Sequence, residues 1–123
     1  MNNSLLSLVY ELSNKFTEFV ENPTNNTRVN VFLGIERIYA KLGKNWQESM
    51  NNNISCITWI DLLVRVTPEK DLLFEEAKLL KRMLVFLWKE DYDNFVSILV
   101  AYDCLFRHFV YLFRNQGKLE SEV

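Results

Sequence analysis

Residues 83–113 read MLVFLWKEDYDNFVSILVAYDCLFRHFVYLF, and the assignment of this stretch decides the fold. Nine of the chain's seventeen aromatic residues fall between Phe86 and Phe113. Such apolar density means a membrane span, the buried centre of a helical protein, or a surface awaiting a partner. A span needs about 20 predominantly apolar residues. Here Lys89, Glu90, Asp91 and Asp93 break the run on one side and Asp103, Arg107 and His108 on the other, leaving nine uncharged residues from Asn94 to Tyr102. An Asp or Arg at a bilayer centre costs about 2.5–3.5 kcal/mol. No membrane association is expected. A helix apolar around most of its circumference instead sits centrally, with neighbours on several sides. Phe95, Leu99, Tyr102, Phe106 and Phe109 are expected to face the core. Asp103 and Arg107, four apart, are expected to pair along the edge nearest water.

The rest of the 123-residue chain supports an all-α, single-domain bundle, 1–123, of about five helices around this central C-terminal one. Three glycines and two prolines are few for an all-β protein of this length. Leu5, Val9, Leu12, Phe16, Phe19 and Val20 predict a first helix from Ser4, its N-cap, to Glu21, ended by Asn22-Pro23. Val31, Ile35, Ile38, Tyr39 and Leu42 predict a second from Thr27 to Leu42, closed by Gly43. Gly34 inside it costs about 1 kcal/mol of propensity, which close approach of another helix would explain. Lys44 to Asn53 has no periodicity and reads as irregular. Ile57, Ile60, Leu63 and Val64 then predict a helix over 54–66 despite its β-branched residues. Thr67 as N-cap and Pro68 as first helical residue predict a fourth helix to about Lys89, burying Leu72, Leu73, Leu80, Met83, Leu84 and Leu87. The fifth runs from the acidic break 90–93 to about Asn115, stopped by Gly117, and the tail 118–123 is expected to fray.

Charge excludes one function class. The net charge is −2, with five basic and six acidic residues in 1–62 and nine and ten in 63–123. No basic tail or stripe exists to neutralise a phosphate backbone, so nucleic acid is not the expected ligand. Lys78, Lys81, Arg82 and Lys89 form the most basic face, diluted by Glu75, Glu76 and Glu90, as on an ordinary salt-bridged surface. The N-terminus lacks a basic segment before its apolar one, so no signal peptide is expected and the sequons at Asn2, Asn25 and Asn53 read as coincidental. A cytoplasmic location follows.

Chemistry is scarce. Cys104 and His108, spaced i, i+4, are two possible metal ligands, but two do not make a site, and a packed thiol beside a hydrogen-bonded imidazole is the simpler reading. There is no P-loop, GxGxxG or HExxH and no oxyanion nest near either residue, so no enzyme activity, metal or cofactor is expected. Protein binding remains. Trp, Tyr and Arg near charged rims are the residue types of interface hot spots. Trp46 with Glu48, the acidic run Glu69, Asp71, Glu75 and Glu76, and the hinge Trp88, Asp91, Tyr92 and Asp93 have that composition.

The stretch NVFLGIERIYAKLGKNWQES, within a small, mildly acidic, Asn-rich helical chain, resembles helical immunity proteins of contact-dependent growth inhibition systems. That resemblance implies a cytoplasmic bacterial protein, a monomer or weak homodimer, that neutralises a cognate toxin domain, commonly a nuclease, by tight stoichiometric binding. The alternative is a self-associating structural or regulatory helical module, encoded by a phage or plasmid.

Overall fold

A computed structural model describes residues 3–119, and among them it holds six α-helices, one 3-10 turn and no strand. The all-α expectation holds, with six helices where five were expected. Helix α1 (Asn3–Glu21) buries Leu5, Val9, Leu12, Phe16 and Phe19, the predicted stripe, with Val20 half-buried. Ser4 lies within the helix and not at its cap. Helix α2 (Asn25–Leu42) starts two residues before the expected Thr27 because Thr24 and Thr27 cap each other. The Thr24 hydroxyl accepts from Thr27 N at 3.1 Å, and the Thr27 hydroxyl accepts from Thr24 N at 2.9 Å.

Gly34 is buried where α2 crosses α1. A Cβ there would stand 3.2 Å from Leu12 Cδ1, so glycine permits the close approach that its helical position suggested. Gly43 ends α2 at φ 66°, its N–H reaching Ala40 O while Lys44 N reaches Tyr39 O.

The extra helix is α3 (Trp46–Asn52), in the segment expected to be irregular. Asn45 Oδ1 accepts from Glu48 N at 3.1 Å, capping a helix only seven residues long, too short to show periodicity. At its far end Asn53 Nδ2 donates to Ser49 O at 2.7 Å, and the chain turns into α4 (Ile54–Val66).

The next junction differs from expectation. Thr67 is the C-cap of α4 and Pro68 is extended (φ −57°, ψ 143°), followed by the 3-10 turn Glu69–Asp71. The Thr-Pro pair therefore connects two helices without starting one. Helix α5 (Leu72–Trp88) buries Leu72, Glu76, Leu79, Met83 and Leu87, a stripe that leaves Leu73 40% exposed and Leu80 and Leu84 half-buried. It closes with Glu90 in the left-handed region (φ 56°), Glu90 N reaching Leu87 O and Asp91 N reaching Phe86 O. Asp91 in turn caps α6 (Tyr92–Asn115), its carboxylate accepting from Asn94 N at 3.3 Å.

Helix α6 supplies twelve buried residues, including all five of those predicted to face the core, each at most 2% exposed. It packs on α2, α3, α4 and α5. It meets α1 through rings: Phe16 and Phe19 approach Tyr102, Phe106, Phe109 and Phe113 at centroid distances of 5.1–6.1 Å. By length and mean hydropathy (1.5) α6 could cross a bilayer, yet 67% of its most apolar window is buried within the protein, as in a core helix. Beyond Gly117 (φ 70°), Leu119 is 6% exposed, and the amides of Lys118 and Leu119 both reach Phe113 O. Leu119 is therefore buried and Lys118 exposed but hydrogen-bonded where fraying was expected, while 120–123 lie outside the described residues.

Candidate functional site

The structure separates the ten residues singled out by composition into three environments. Glu76, expected on an acidic surface, is 8% exposed, because its helix turns that position inward with the Leu72–Leu79 stripe. Its Oε1 accepts from the Tyr102 hydroxyl at 3.1 Å, and Tyr102 is itself 1% exposed. Burial, opposed by this hydrogen bond, pushes the Glu76 carboxyl up to about 7. The others of that run do not form one patch. Glu69 accepts from Gln116 Nε2 at 2.7 Å, Asp71 stands half-buried at the start of α5, and Glu75 pairs with Lys78 at 3.1 Å.

Trp46 enters a second environment that sequence reasoning missed. Its indole Nε1 donates to Asp103 Oδ2 at 2.7 Å, while Arg107 Nε donates to Asp103 Oδ1 at 3.2 Å. The expected Asp103–Arg107 pair thus forms, but with Asp103 1% exposed and not at the water-facing edge. The Arg107 guanidinium lies 5.1 Å from the ring centres of both Trp46 and Phe32, a cation–π arrangement. This knot ties α2 and α3 to the middle of α6. Nearby, the Tyr39 hydroxyl is buried without a hydrogen-bond partner among the described residues, and burial followed by the Asp103 charge pushes its ionisation far up. Nothing in the sequence signalled a contact across 57 positions.

The third environment is a surface. Glu48 of α3 and Asp93 in the first turn of α6 are both exposed on one cleft of about 460 Å³, floored by Ser49, Asn53 and Ser97. Ser97 Oγ donates to Asn53 Oδ1 at 2.6 Å, which fixes the floor. One residue from each of two patches that the sequence presented separately, Glu48 and Asp93, therefore shares a cleft. At the adjoining hinge Trp88 is 74% exposed and Tyr92 36%. Asp91 is committed to capping α6, so its carboxylate is structural.

Cys104 and His108 give no third ligand. Among the described residues no three His, Cys, Asp or Glu side chains converge as a metal site would require. Burial, with Asp103 second, pushes the Cys104 thiol up to about 11, and burial lowers the His108 imidazole. Both shifts oppose a thiolate–imidazolium pair.

No protein-family model, curated protein or solved structure matches this chain. Its site is read from geometry. The basic face resolves similarly: Lys78 is paired with Glu75, and Arg82 lies 5.5 Å over the Trp59 ring.

Proposed function

We propose that this protein is a non-enzymatic, cytoplasmic inhibitor of the immunity type, which neutralises a cognate bacterial toxin domain, a nuclease, by stoichiometric binding. The six helices serve as a bundle that holds one acidic–aromatic surface. The observation that carries this reading is the joining of Glu48 and Asp93 on one cleft, with Trp88 and Tyr92, which precede Asp93 in the chain, also exposed. Exposed aromatic side chains close in the chain to carboxylates have the composition of a hot spot for a basic protein.

The test is co-expression with the toxin domain encoded beside its gene. Wild type protects the cell and elutes with the toxin as a 1:1 complex, whereas Trp88→Ala combined with Asp93→Lys weakens binding by about 30-fold or more, as loss of a hot spot does. Asp91 is left intact to preserve the α6 cap. Full protection by the double variant would move the interface elsewhere, and wild type without any toxin binding would sink the function.

A second reading, a self-associating module, draws support from α4, whose Ile54, Leu62 and Val66 are 63%, 55% and 78% exposed at fourfold helical spacing. Light scattering separates the two: a homodimer persisting on dilution, abolished by Leu62→Lys, favours self-association.

A further inference from the structure

We infer that the cleft between α3 and the start of α6 receives a cationic side chain, most fittingly an arginine guanidinium, from a protein partner. The nature of that partner rests on the function proposed above; the chemistry of the cleft stands apart from it. A volume of about 460 Å³ is within the range of small-ligand sites. Its two carboxylates, Glu48 and Asp93, face one cation, Lys44, so the cleft carries a net charge of −1. Neither carboxylate forms an ion pair among the described residues.

An independent observation points to a missing donor. Ser49 is 5% exposed and lines the cleft, yet its hydroxyl has no hydrogen bond among the described residues and is not sealed from solvent. A hydroxyl open to the cleft and without a protein partner is an acceptor that an arriving donor can use. The Asn53 amide cannot serve it, being held by Ser49 O on one side and Ser97 Oγ on the other. Beside the donors of Lys44, Asn45 and Asn52, the lining holds two carboxylates and a hydroxyl whose acceptor capacity no ion pair or side-chain bond among the described residues takes up, which suits a donor-only group. Guanidinium offers five N–H donors and no acceptor. Val96, 6% exposed on the same wall, provides an apolar surface for the aliphatic stem. A hard divalent cation fits less well, since calcium takes six to eight oxygen ligands.

The probe is L-arginine amide, titrated into the ¹⁵N-labelled full chain at constant ionic strength, with urea and calcium chloride as comparators. Saturable shifts at the amides of Ser49, Asn53 and Ser97 are expected, at least about tenfold weaker in Glu48→Gln/Asp93→Asn, the effect of losing two charges. Both residues are exposed, and an unchanged spectrum elsewhere confirms that the variant folds. An equal response to urea, an equal response in the variant, or a response to calcium alone overturns the assignment. Arginine-amide binding without any toxin binding removes the toxin reading and leaves the cleft. Toxin binding without arginine-amide binding removes the cleft alone.

Discussion

Trp46 Nε1 and Asp103 Oδ2 stand 2.7 Å apart, so a seven-residue helix is anchored to the buried midpoint of α6 by one charge-assisted hydrogen bond. Asp103 is 1% exposed, and its other oxygen is held by Arg107. Trp46→Phe keeps a ring for Arg107 to stack on but removes the indole donor. A buried carboxylate left short of one donor costs about 1–3 kcal/mol, read by urea denaturation. Asp103→Ala should cost more, since it leaves both donors unmatched. If Trp46→Phe is as stable as wild type, the bond is not what holds α3.

Glu76 predicts a pH dependence. Its folded carboxyl is raised to about 7 from the ordinary 4.5, so the folded state binds the proton more tightly than the unfolded one. The associated stability is fully present below about pH 4.5 and is lost as pH rises through 7. The upper bound on that loss is about 3 kcal/mol. Glu76→Gln retains an acceptor for the Tyr102 hydroxyl and cannot ionise. Its stability curve should be flatter over pH 5–8, and at pH 8 it should exceed wild type. A wild-type curve that does not decline there would place the Glu76 charge in water.

At Gly34 the contact that matters is with Leu12 Cδ1, the end of a flexible side chain, at 3.2 Å from a built Cβ. Gly34→Ala therefore exchanges a small displacement of Leu12 against about 1 kcal/mol of helix propensity, and should fall within about 1 kcal/mol of wild type. Gly34→Leu drives a larger side chain between α1 and α2. It should cost about 1–3 kcal/mol by overpacking, measured by thermal unfolding.

Glu90 holds a conformation in which glycine is the usual occupant. The same pair of closing hydrogen bonds ends α2 at Gly43 and α6 at Gly117, but α5 at Glu90, φ 56°. A side chain in the left-handed region costs about 1–2 kcal/mol, partly offset by glycine's greater freedom when unfolded. Glu90→Gly should raise stability by roughly 1 kcal/mol in denaturation experiments. A decrease would mean that the Glu90 side chain's own interactions outweigh the strain.

These particular residues also show what was readable in the chain. The stripes of α1, α2 and α6 were legible because periodicity reports burial directly, and Gly34, Gly43 and Gly117 because few backbone situations call for glycine. Glu90 carries no such mark. Helix α3 depends on a local cap and on an indole bond from another helix, neither of which generates a periodic pattern. Thr67-Pro68 was misread because a proline suits both a first helical turn and an extended connector; only the 3-10 turn that follows distinguishes them. Glu76 looked like a surface acid because it is charged, although it lies four residues from both Leu72 and Leu80 and so on their face of the helix. The union of Glu48 with Asp93 needed the path of the intervening helices.

The central position of α6 bears on how the protein is made. Of the described helices α6 is synthesised last, and it provides twelve buried residues against which all the others rest. While residues 92–115 are still inside the ribosome, α1 and α2 can pair as a hairpin and α5 can touch α1, but α3 and α4 lack the surface of α6 on which they rest. The core cannot close until α6 has emerged, because the buried face of α6 is a wall shared by the helices before it. A stop within α6 would release a chain fit for chaperones and proteases, with no smaller version of the fold.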